Sequence, residues 1–159
     1  YYPAATVVNL TATPNSGYKF SSWTGSVASA DDAATSITMS APETVSANFA
    51  LGYTNVTSSV RVTATAFVYN RATKTFNSTY TIANTGSQTI AGPLGLVLSG
   101  LNAAVTVADA AGIFQGLPFL TVPGVASLGP GGSVSVAVEF SDPTNVTIQA
   151  TPVVYSGVL

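Results

Sequence analysis

The stretch NSGYKFSSWTG, residues 15–25, constrains the fold more than any other part of the chain. It carries the only tryptophan, Trp23, between a turn-forming Asn-Ser-Gly and a closing Gly25. Tyr18 and Phe20 are two apart and share one face of an extended strand, with Lys19 on the other. Trp23 falls three beyond Phe20, so a bulge or bend at Ser21–Ser22 is needed to turn it back to that face. Short alternating runs flank the stretch: Val8, Leu10 and Ala12 before it, Ile37, Met39, Val45, Ala47 and Phe49 after it. The pattern predicts a small all-β module organised on one aromatic strand.

That module is expected over residues 1–50. Residues 6–13 alternate cleanly and stop at Pro14-Asn15, a turn signal. A small-residue loop over 26–35 carries Asp31 and Asp32, and strands over 36–40 and 44–50 follow, joined by a turn at 41–43. No helical period is visible in this part. Residues 51–58 read as a short connector, neither long nor Gly/Ser-rich enough for a flexible tether, with Tyr53 expected between the two modules.

A second module is expected over 59–159. Strands are predicted over 60–69 and 76–84, around a hairpin-type loop at 70–75, with Phe76, Tyr80 and Ile82 on one face. Further strands fall at 95–98 and 104–108, and residues 109–124 read as mostly irregular. Gly129-Pro-Gly-Gly132 introduces the best strand of the chain, 133–140, with Val134, Val136, Val138 and Phe140 pointing inward. The last strand, 146–155, contains Pro152, which makes it an edge or interrupts it. About seven short strands in about 100 residues predict an immunoglobulin-like β-sandwich.

Two resemblances accompany this pattern. VVNLTATPNSGYKFSSWTGS followed by TSITMSAPETVSANFA resembles the divergent form of the internalin B-type repeat of bacterial surface proteins. Repeats of that family open with another strand and a Gly/Ser-rich turn. The resemblance therefore implies that the first module lacks its opening strand. Three fates are open: the strand exists but is disordered, another segment of this chain fills the gap, or a neighbouring molecule donates a strand, for which the apolar, β-prone tail 153–159 is the nominated donor. The pattern FVYNRATKTFNSTYTIANTGSQTIAGPLGLVLSGL, then LGPGGSVSVAVEFSDPTN, resembles Ig- or fibronectin-like accessory modules of bacterial secreted proteins.

Composition narrows the function. Charged residues are only 6% of the chain, against roughly a quarter in ordinary soluble domains. Its surface polarity must come from Thr, Ser, Asn and Gln. The net charge of −2 and four basic residues (Lys19, Arg61, Arg71, Lys74) cannot form a phosphate-neutralising patch, which argues against nucleic acid. No apolar run approaches the roughly 20 residues of a membrane-spanning helix. Thr- and Ser-rich, charge-poor composition points to an extracellular or cell-surface location.

Cysteine and histidine are both absent, which removes disulfides, the common catalytic triads and zinc sites. The six carboxylates, Asp31, Asp32, Glu43, Asp109, Glu139 and Asp142, are scattered, with no pair facing one cleft. Neither Asp31-Asp32 nor Asp142–Asn145 has the ligand spacing of a calcium loop. Lys74 in a loop and Glu139 on an outward strand position do not make an isopeptide pair. No enzyme, cofactor or metal is expected. Tyr18 and Trp23 are candidates for sugar stacking, although Phe20 and Trp23 serve better as core in so small a unit. Asn9, Asn55, Asn77 and Asn145 each begin an Asn-x-Ser/Thr sequon and are candidate glycosylation positions.

The sequence thus predicts a non-enzymatic, extracellular, two-module β protein. It would serve as a structural or adhesive piece of a bacterial surface protein or filament, through self-association or contact with other surface proteins. The second reading is a glycan-binding accessory module of a secreted enzyme.

Overall fold

The computed structural model describes residues 2–159 and is all-β, with no α-helix among them. The chain divides into two compact units, Tyr1–Gly52 and Tyr53–Leu159.

The first unit contains β1 (Thr6–Thr11), β2 (Tyr18–Thr24), β3 (Ala34–Met39) and β4 (Ser46–Leu51). Strands pair with the next but one: β1 with β3 and β2 with β4, both antiparallel. Each strand therefore keeps one unpaired edge among the described residues. The register of β2 on β4 shifts between Phe20 and Ser22, so Ser21 is the extra residue of a bulge. Phe20 faces Phe49 before the shift and Trp23 faces Ala47 after it. Residues 47 and 49 share a face, so the bulge returns Trp23 to the side of Phe20, as its spacing requires. The buried apolar residues of this unit are Ala12, Trp23 and Ile37.

The second unit opens with β5 (Tyr53–Asn55) and a 3-10 turn (Thr57–Ser59), followed by β6 (Val60–Ala64), β7 (Val68–Asn70) and β8 (Thr75–Asn84). Then come β9 (Ile90–Ala91), β10 (Leu94–Ser99), β11 (Thr106–Val107), β12 (Gly112–Phe114) and β13 (Leu117–Val122). The chain finishes with β14 (Ser127–Leu128), β15 (Ser133–Ser141) and β16 (Thr151–Gly157). One sheet has the order β11-β15-β8-β6, with β7 also on β8, and the other β12-β13-β10-β16-β5. Inward residues of both sheets meet in one core. Tyr80, Ile82, Val136, Val138 and Phe140 come from the first sheet, and Leu94, Leu96, Leu98, Leu120 and Val154 from the second. The unit is a β-sandwich.

Several expectations need correction. The connector predicted at 51–58 is structured: Leu51 ends β4, and Tyr53–Asn55 pairs with β16. Tyr53 packs on Phe114 and Tyr155 of its own unit, with ring centroids 4.9 and 5.7 Å away. The span 109–124 is not irregular but holds the hairpin β12–β13. Its turn, Gln115-Gly116, has φ of 51° and 82°, the left-handed pair of a two-residue hairpin. The tail 153–159 is no unattached donor strand. Residues 153–157 lie in β16, between β10 and β5, and Val154 is fully buried because its alternate side chains fill the core. Pro152 precedes the stretch that β5 covers, Tyr155–Gly157, so it sits where β16 has only one strand partner.

Candidate functional site

The face of β2 and β4 gathers the aromatic residues that the sequence singles out. The Phe20 ring centroid lies 5.8 Å from that of Trp23 and 6.2 Å from that of Phe49. Trp23 is 9% exposed, and the loop after β2 closes over it. The Trp23 amide donates to the Ala30 carbonyl at 2.7 Å, and its indole Nε1 donates to the Asp32 carbonyl at 2.9 Å. Burial together with a satisfied indole leaves no ring face for a ligand. Of the two candidate stacking residues, only Tyr18 presents a surface, at 52% exposed. It stands opposite Leu51, and Phe49 completes an exposed apolar strip on the same face.

Carboxylates are used locally. An Asp32 carboxylate oxygen accepts from the Ser29 hydroxyl at 2.7 Å, and one from Glu43 accepts from the Ser40 hydroxyl. Asp109 and Glu139, far apart in sequence, meet because the Asp109 carboxylate accepts from the Glu139 amide at 2.9 Å. That bond caps a strand edge and is not a two-carboxylate cleft. Asp142 is 8% exposed; its Oδ1 accepts from the Thr144 hydroxyl, and its Oδ2 has no partner. No group of three or more acidic residues converges on a cation position among the described residues. Lys74 occupies a turn position with φ of 59°.

The sequon asparagines differ in freedom. Asn9 and Asn145 are exposed, the latter with φ of 53°. Asn55 is exposed but its Oδ1 accepts from the Thr57 amide, and Asn77 is half-buried with Oδ1 accepting from the Thr75 hydroxyl.

In the second unit, a groove of about 540 Å³ opens beside β6, lined by Val62, Ala64, Phe67, Tyr80, Ile148 and Pro152 among others. Sequence reasoning missed it, because residues 148–152 meet β6 only through the packing of the two sheets. Tyr80 is 2% exposed, and burial pushes its phenol above the ordinary value of 10.0. On the other sheet, β12 is separated from β16 by two strands, yet the Phe114 and Tyr155 ring centroids are 5.0 Å apart. The hairpin β12–β13 therefore curls across that sheet.

Residues 1–53 match the family model described as the divergent InlB B-repeat domain. The match covers about a third of the chain and ends at the boundary between the two units. Comparison with curated proteins and with solved structures gives no match. No helix among the described residues is long and apolar enough to cross a membrane.

Proposed function

We propose that this chain is a non-enzymatic structural or adhesive part of a bacterial surface protein. The observation that carries the reading is the repeat-family match over residues 1–53. A chain with 6% charged residues supports it, because copies with so little charge repel one another weakly. Its unpaired strand edges in the first unit add main-chain groups able to join a neighbour. As the test, purified chain without added ligand is followed by light scattering and electron microscopy over a concentration series. Concentration-dependent assemblies support the reading. A strictly monomeric chain that also fails to bind other surface proteins overturns it.

The exposed strip of Tyr18, Phe49 and Leu51 favours a second reading, a glycan-binding accessory module. A glycan array read with intact chain and with Tyr18→Ala separates the two. Sugar binding lost in Tyr18→Ala would favour the second.

A further inference from the structure

The groove beside β6 has the features of a strand-acceptor site. Directions of the main-chain groups follow from the pairing. The Ser59 carbonyl accepts from Thr85, and the Thr65 amide donates to the Thr79 carbonyl, so odd residues of this segment face β8. Even residues then point their N–H and C=O groups away from β8. Val60 is spent at one end, where its amide donates to Thr57. At the other end Ala66 and Phe67 together face Ser78, since Thr65 bonds Thr79 and Val68 pairs with Asn77, and this bulge breaks the edge. Between these stops, the N–H and C=O groups of Val62 and Ala64 have no strand partner among the described residues, where β6 pairs with β8 alone.

The opposite bank lacks a donor at its Pro152 position. Val154 spends its amide on the Thr57 hydroxyl and its carbonyl on the Val56 amide, so residue 152, two before it, faces the same way. That residue is Pro152, which has no N–H to offer. At Pro152 an entering strand finds an acceptor but no donor, whereas Val62 and Ala64 offer both.

The lining also selects chemistry. Side chains opposite Val62 and Ala64 would enter beside Phe67, Tyr80 and Ile148, while the alternate ones would face solvent. No Lys, Arg, Asp or Glu lines the groove, so a charge carried into it would lose water without gaining a partner. Tyr80 is buried and so offers no open platform for a sugar ring.

We infer that this groove binds an extended, uncharged peptide segment of a partner protein, apolar at alternate residues, which adds as a strand to β6 through Val62 and Ala64. The site belongs to residues 53–159 and is independent of the repeat-family match and of whether the chain self-assembles.

The probe is a capped Thr-Val-Thr-Val-Thr peptide titrated into ¹⁵N-labelled full chain. Shifts and slowed exchange are expected at the Val62 and Ala64 amides. The same peptide N-methylated at alternate residues on its bonding edge should bind about tenfold more weakly, as should the protein variant Ala64→Pro. The methylated peptide keeps the test decisive if the proline variant fails to fold. Binding unchanged by methylation, or no response at Val62 and Ala64, overturns the inference. Response of the groove to a neutral oligosaccharide but not to the peptide also overturns it and assigns the groove to sugar.

Discussion

Phe20 and Trp23 lie three residues apart in one strand, yet their ring centroids are 5.8 Å apart on the same face. A regular strand would send them to opposite faces. The bulge at Ser21 reconciles the two, and through it the largest side chain of the first unit reaches the core.

Trp23→Ala is expected to unfold the first unit and leave the second folded. Removing a buried aromatic costs roughly 3–5 kcal/mol, and a unit of about fifty residues holds little stability in reserve. Heteronuclear NMR of the full chain checks it: resonances of residues 1–52 should lose dispersion while those of 53–159 keep theirs. An unchanged spectrum for both would mean that Trp23 is not a core residue.

Deleting Ser21 tests the bulge itself. Without the extra residue, Phe20 and Trp23 become two apart, so a regular strand keeps both on one face with Phe20 still opposite Phe49 and Trp23 opposite Ala47. Trp23 is the only tryptophan, so its emission reports directly. Unchanged emission is expected; a shift to longer wavelength would show that Ser21 is not the extra residue and that its removal turns Trp23 outward.

What the sequence made legible follows periodicity. The bulge, the alternation of β15 and the inward faces of β8 all come from spacing within one segment, and local sequence carries that information. The hairpin β12–β13 was obscured because Gly112, Gly116 and Pro118 read as loop residues, although Gln115-Gly116 makes a tight turn and Pro118 lies where β13 is not bonded to β10. The groove beside β6 was illegible for a different reason. Its two banks, Val62–Phe67 and 148–152, are brought together by sandwich packing, which no local pattern encodes. For the candidate stacking pair, spacing placed Tyr18 and Trp23 on one face, but only the closing loop through Ala30 and Asp32 distinguishes the exposed ring from the buried one.

Tyr80 gives the second unit an alkaline limit. Its phenol is held above 10.0 by burial, so the folded state keeps the proton more tightly than the unfolded chain does. The resulting stability is fully present below pH 10 and is lost as pH rises through the folded value. Denaturant melts of wild type and Tyr80→Phe from pH 8 upward should differ in slope, with the variant losing less stability above pH 10. Parallel curves would mean that the phenol reaches water.

Asn84 is expected to be the most sensitive polar position of the second unit. It is 1% exposed, its Nδ2 donates to the Gln88 and Leu128 carbonyls, both at 2.8 Å, and its Oδ1 accepts from the Gly86 amide at 2.9 Å. One side chain thus ties β8 to the turn that follows it and to β14. Asn84→Ala removes the donor to the Gln88 and Leu128 carbonyls, the latter buried, while the Gly86 amide keeps the Ser59 carbonyl at 3.2 Å, so a loss of about 1–3 kcal/mol is expected. Asn84→Asp keeps the shape but turns an acceptor toward the two carbonyls. Its carboxyl must be protonated to donate to either, so its folded pKa lies above the unfolded value of about 3.9. Stability of that variant, relative to wild type at the same pH, should therefore be greatest below about pH 4 and fall as pH rises through the folded pKa. Urea melts of both proteins at pH 3.5 and pH 7 decide it. An equal deficit at the two pH values would mean that the carboxylate finds water or rotates away from the Gln88 and Leu128 carbonyls, and that these bonds do not hold the turn.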